Sequence, residues 1–146
     1  WKLKKIFGDD IYINGNLDRA KVSALAFTNR ELLTQLNSVV HPAVEKYFLK
    51  WIENNSNSKL VFLEAAILFE SGANQWVEKV VAVTAPEELR IKRVMERDGL
   101  TSEDVNRRIG NQLSEKLLIE RSDFVIDNSG EQLIVPQIIK IIQSLQ

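Results

Sequence analysis

The chain has 146 residues, is 45% hydrophobic and 27% charged, and carries a formal net charge of -1, the profile of one globular domain able to bury a core. That balance argues against nucleic acid as a default partner. The absence of cysteine excludes disulfides and thiolate chemistry, and a single histidine argues against a His-based metal centre or a serine-type triad.

No apolar run approaches the ~20 residues needed to span a bilayer and no signal peptide opens the chain, so no membrane partner is expected. The lack of cysteine suits a reducing cytoplasm, which is the expected location. The first residue is Trp1 rather than Met, and the expectation is that the sequence is a piece of a longer protein.

In chain order, WKLKKIFG reads as a short amphipathic helix ended by Gly8, and Asn14-Gly15-Asn16 marks a turn. Apolar spacing is helical from Leu17 to about Phe27 and again from Asn29 to Asn37. Pro42 suits the first turn of a further helix, whose face Val44, Tyr47, Phe48 and Trp51 runs toward the polar stop NNSNS. Tyr47 and Trp51 are expected in the core. Three short runs then follow, KLVFLEAA, KVVAVTA and DFVIDN, with little polar alternation, as expected for strands covered on both faces.

Between and after these runs the segments PEELRIKRVMERD, SEDVNRRIGNQ, SEKLLIERS and EQLIVPQIIKIIQSLQ read as helices, with the apolar positions of IVPQIIKII assigned to core packing. Strands alternating with helices predict an α/β fold with a parallel sheet, right-handed crossovers and helices on both sides. Function in such folds gathers at the carboxyl ends of strands. Here those ends are Glu64-Ala65-Ala66, Thr84-Ala85-Pro86 and Asp127-Asn128-Ser129-Gly130. Glu64 is either a buried carboxylate with a shifted pKa or a structural hydrogen-bonded residue. Asp127 and Asn128 suit capping of the final helix. Three strands make a thin sheet for this length, so further strands are expected outside the sequence.

Arg90, Arg93 and Arg97 fall within roughly 60° of one another on one stripe of a helix, at about 100° per residue. The apolar face Ile91, Val94 and Met95 lies elsewhere. Planar guanidinium forks suit phosphate, and solvated surface suits arginine equally; periodicity leaves both readings open.

The segments LNSVVHPAV, LVFLEAAILFESG, KVVAVTAPEELRIKRVMERDGLTSEDVNRRIGNQ and SDFVIDNSG, in this order and spacing, resemble the dephospho-coenzyme A kinase family from end to end. The resemblance implies a three-layer αβα fold of the P-loop kinase type. It also implies transfer of the γ-phosphoryl of ATP, with Mg2+, to the ribose 3'-hydroxyl of dephospho-coenzyme A. Within a single domain over 1–146, it assigns 1–58 to a helical acceptor-side region. A lid begins at 98 and runs to about 112, or to 121 on its widest reading. Thr101 or Ser102 caps the lid helix.

By the same resemblance Arg93 and Arg97 are the catalytic arginines. Arg93 lies against adenine or the phosphates and Arg97 reaches the phosphates. Arg108, in R-x-x-x-Q with Gln112, and Asn128 and Gly130 complete the nucleotide side. Arg19, His41 and Glu70 match positions near the acceptor pocket. Ala66 departs from the family, many of whose members have proline there.

No G-x-x-x-x-G-K-[ST] occurs among the six glycines. The family's phosphate-loop strand and catalytic aspartate are therefore expected outside these residues, and this chain alone is expected to be inactive. A sheet gap between LVFLEA and KVVAVTA is expected to favour strand exchange or a homo-oligomer. Another small-molecule kinase of this fold and a non-catalytic binding or assembly domain are the alternatives.

Overall fold

A computed structural model of the chain describes residues 2–145. They form two compact units, Trp1–Phe62 and Leu63–Gln146.

In the first unit α1 (Lys2–Phe7) ends at Gly8. A hairpin follows, β1 (Tyr12–Ile13) paired antiparallel with β2 (Asn16–Leu17). The Asn14-Gly15 pair carries positive φ at both residues, 51° and 80°, the backbone of the two-residue turn that Asn-Gly favours. The sequence pattern marks this turn but is too short to announce its strands. α2 (Arg19–Thr28) starts under the Asp18 carboxylate, which accepts from the Lys21 N–H at 3.0 Å. Asn29 both ends α2 and caps α3 (Arg30–Asn54), accepting from the Glu31 and Leu32 amides. Phe7, Ile11, Val22 and Ala26 form the buried cluster of this unit, with Leu32, Leu33 and Leu36 packed against it.

Pro42 does not start a helix. It lies inside α3, which runs unbroken for 25 residues. No glycine or capping stop separates Asn37 from His41, so the chain carries proline's missing N–H toward Ser38 as an interior defect. The expected core roles of Tyr47 and Trp51 also fail: Tyr47 is 74% and Trp51 40% exposed, and Phe48 is the buried residue of that face. Helical spacing specifies that side chains share a face, not that anything covers it.

In the second unit β3 (Val81–Thr84) pairs in parallel with β4 (Phe124–Asp127), in the register Val81 to Phe124 through Thr84 to Asp127. α4 (Glu87–Asp98) follows β3, then α5 (Ser102–Ile109) and α6 (Glu115–Glu120); α7 (Ile134–Ser144) follows β4 and packs on it. The strand expected over KLVFLEAA is absent. Residues 60–65 carry no ladder, and strand pairing needs a hydrogen-bonded neighbour that hydrophobicity alone does not supply. α7 likewise has no buried residue, with Val135 65% and Ile139 49% exposed, so its apolar run is not the core element that its composition suggests.

Candidate functional site

The carboxyl ends of β3 and β4 are locked together beyond the last paired residues, because the Asn128 N–H donates to the Thr84 carbonyl at 2.8 Å. Below that point Gln137 of α7 braces Asp127 from both sides. Its carboxamide oxygen accepts from the Asp127 N–H at 2.8 Å and its nitrogen donates to the Asp127 carbonyl at 3.0 Å. The Asp127 side chain turns back on its own loop and accepts from the Ser129 N–H at 2.7 Å. Ser129's backbone N–H first, and then its hydroxyl, hold the Asp127 carboxyl below its ordinary range. Asp127 and Asn128 therefore do not cap α7, whose first residue follows Leu133 without a side-chain cap.

α4 delivers the three arginines of the stripe to three different partners. Arg90 donates through Nε to the Ala85 carbonyl at 3.0 Å and through Nη2 to Glu115 at 3.0 Å, tying the start of α4 to the start of α6. Arg93 donates through Nη1 to the Asn128 carbonyl at 2.8 Å, so its guanidinium sits at the carboxyl end of β4. Arg97 grips Asp98 with Nε and Nη2 at 2.7 and 3.0 Å. The hydrogen bond from Arg97, then its charge and that of Arg108, keep the Asp98 carboxyl low despite partial burial. The same partner raises Arg97, with a smaller contribution from the charge of Glu64. Glu64 is exposed, not a buried carboxylate.

Arg108 leaves α5, which starts under Thr101, whose hydroxyl accepts from the Asp104 N–H at 3.2 Å. Its Nη1 lies 3.7 Å from Asp98. Gln112 is exposed after that helix. Glu70, on the turns following 65, accepts from the Leu113 N–H at 2.5 Å. Beside it, Arg121 lies 5.9 Å over the Phe69 ring. Gly130 has φ 101°, and a Cβ there would meet nothing within 4 Å, so the turn after β4 leaves open space beside the strand end.

The structure thus brings Arg93 to Asn128 directly and joins Arg97 to Arg108 through Asp98. Glu70 is bonded to the stretch between α5 and α6. Arg19 and His41 belong to the first unit, where Arg19 is exposed at the start of α2 and His41 is half-buried within α3. Neither side chain makes a hydrogen bond or ion pair among the described residues. Asp98, Gln137 and Glu115 were not singled out from the sequence. Asp98 had a local signal, the run Arg-Asp-Gly at the end of a helix. Gln137 and Glu115 had none, since their partners lie across the fold.

This is an α/β protein in which the helix after β3 sends Arg90 and Arg93 to backbone carbonyls just past the ends of the two parallel strands. Residues 1–133 match the model of the family described as dephospho-CoA kinase. A dephospho-CoA kinase of Porphyromonas gingivalis is 37% identical over 145 residues, covering 99% of this chain and 71% of the relative. One from Geobacillus kaustophilus is 43% identical over 121 residues, covering 80% of this chain and 59% of the relative. Among solved structures, a Thermus thermophilus crystal structure aligns with a TM-score of 0.81 and 33% identity, over 97% of this chain and 73% of that one. A dephospho-CoA kinase from Campylobacter jejuni aligns at 0.66 and 27%, over 99% and 74%. The chain belongs to the dephospho-CoA kinase family.

Proposed function

We propose that the protein transfers the γ-phosphoryl group of ATP to the ribose 3'-hydroxyl of dephospho-coenzyme A, on a three-layer fold of the P-loop kinase type. The observation that carries this reading is the Arg93–Asn128 contact of 2.8 Å, a cation held at the carboxyl end of a parallel strand. A loose phosphoryl-transfer transition state spreads charge over the transferred group, so catalysis rests on positioned donors more than on covalent help. Arg93 and Arg97 are the catalytic donors, and Arg108 joins them from the lid, 98–121. Asn128 and Gly130 flank the adenine, where the open turn admits a planar base.

Arg19, His41 and Glu70 are assigned to the acceptor, with 1–58 as the acceptor-side region. Glu70 accepts from the Leu113 amide through one oxygen, and its other oxygen is the one assigned to the acceptor. Among the described residues no group of three or more carboxylates, histidines or cysteines is arranged to hold a metal ion. Mg2+ is read as arriving on the phosphate oxygens of the nucleotide.

The test is turnover by the full chain, meaning these residues together with the phosphate-loop segment expected outside them, with ATP and Mg2+, comparing dephospho-coenzyme A with nucleoside monophosphates and locating the new phosphate by 31P NMR. Phosphorylation at the 3'-hydroxyl of dephospho-coenzyme A is expected. Equal or faster phosphorylation of a nucleoside monophosphate overturns the acceptor assignment. These 146 residues by themselves hold no glycine-rich loop with its lysine, so their turnover alone is expected at background.

A further inference from the structure

Asp98 stands where local rules disfavour an acid. It is the last residue of α4, where outward carbonyls make the helix end negative. Neighbouring residues on a helix point about 100° apart, so side chains one position apart do not ordinarily meet. Yet Arg97 and Asp98 form a two-pronged contact at 2.7 and 3.0 Å. From a different helix, Arg108 brings Nη1 to 3.7 Å of the same carboxylate. An acid placed against its helix and shared by two guanidiniums is a local conflict that points to function.

The contact leaves the arginines usable. Asp98 engages Arg97 along the Nε and Nη2 edge, and the Nη1 end of the fork stays open for a second bidentate partner. The side chains of Arg97 and Arg108 are 73% and 56% exposed, whereas Asp98 is 29% exposed. The cations face solvent and the anion sits beneath them. Arg97, Arg108 and Asp98 together carry one net positive charge, which the more weakly acting Glu64 partly offsets at Arg97.

We infer that Asp98 is a positioning residue that gathers Arg97 and Arg108 into a preorganised pair of forks for the triphosphate. This rests on the kinase reading above. Without ligand the carboxylate offsets the mutual repulsion of the two arginines and fixes the edge that each presents. When phosphates arrive, the arginines engage them without first being assembled.

The experiment uses the full chain, with steady-state kinetics of wild type, Asp98→Asn, Asp98→Glu, Arg97→Lys and the double variant Arg97→Lys/Asp98→Asn. For Asp98→Asn, kcat is expected to fall about tenfold while KM for ATP stays within about threefold, the pattern of an interaction realised in the transition state. Asp98→Glu restores at least half of that loss. The double variant is expected to lose clearly less than the product of the two single losses, because Asp98 acts partly through Arg97 and keeps only its hold on Arg108 once Arg97 is changed. An unchanged kcat in Asp98→Asn, no recovery in Asp98→Glu, or a double variant whose loss is the product of the single losses overturns the inference.

Calorimetric titration with tripolyphosphate separates this inference from the acceptor assignment, since it needs neither adenine nor acceptor. Wild type is expected to bind it, and Asp98→Asn to bind it no more tightly. A fivefold gain in Asp98→Asn identifies the carboxylate as a competitor of phosphate and overturns the positioning role, as does failure of the wild type to bind. Failure to phosphorylate dephospho-coenzyme A while tripolyphosphate binding behaves as stated overturns the acceptor reading alone.

Discussion

The two compact units are held by different physics. In Trp1–Phe62 the organising feature is apolar: Ile11 is fully buried at the centre of a cluster with Phe7, Val22 and Ala26, and ion pairs such as Lys21–Asp10 sit at its exposed margin. In Leu63–Gln146 the buried apolar residues are mostly small, Ala73, Ala82, Ala85, Val105 and Ile126. What fixes its positions is directional: Lys79 on Asp123, Arg90 on Glu115, Arg97 on Asp98, and Gln137 bracing Asp127. Burial is non-directional and tolerates slippage, whereas bidentate and two-point hydrogen bonds fix both angle and distance. The proposed chemistry sits in the unit built from the second kind of contact, which suits a reaction that depends on positioned charge.

The largest expected effect would break the comparison if it failed. Arg93→Ala in the full chain is expected to lower kcat/KM about 10²- to 10³-fold, as for loss of one preorganised donor. Its melting temperature should change little, because the contact is exposed. Unchanged kinetics would strip the second unit of its assigned role.

Next comes Ile11→Ala, which empties the best-buried position of the first unit and is expected to cost about 3 kcal/mol in denaturant unfolding. Hydrogen exchange should show protection lost in α1, α2 and the first half of α3 before β3 and β4. Uniform loss across both units would mean that the cluster supports the whole chain. A smaller effect, about 1 kcal/mol, is expected for Asp18→Ala, which removes the cap on Lys21 N–H and leaves the cluster intact.

The smallest effect concerns acid. Asp123 is held below its ordinary value of 3.8 by the hydrogen bond from Lys79 first and the Val80 N–H second. A carboxylate with a lower pKa folded than unfolded stabilises the fold above about 3.8, and that contribution disappears as pH falls through the folded value. Asp123→Asn should therefore flatten the acid limb of the stability curve of the second unit, lowering stability at neutral pH slightly and leaving it nearly unchanged at pH below the folded value of Asp123. An unaltered acid limb would show that the pair does not hold the edge of β3 to β4.

Much of this was legible from residues close in sequence. Asn-Gly specifies its turn because φ is positive at both positions; Thr101 caps its helix through an oxygen that bonds the amide three residues on. β3 and β4 read correctly as strands from short apolar runs, but not as strands covered on both faces, since Val83 is 56% and Val125 43% exposed. The same logic failed at 60–65, where an equally apolar run has no ladder, and at Pro42, where a good start residue lies inside a continuous helix. It failed again at Tyr47, Trp51 and α7, whose periodicity named a face but not a neighbour. At the candidate site, the arginine stripe was visible, but not that its members part company to Glu115, Asn128 and Asp98.

The sequence by itself therefore determined most of the helical segments, the Thr101 cap, two parallel strands and the family, because these depend on torsional preference and on order along the chain. Only the tertiary structure decided which apolar faces are covered, which strand finds a partner and which carboxylate each arginine meets. Those outcomes depend on groups brought together from distant positions, and no local pattern of residues encodes the distance between them.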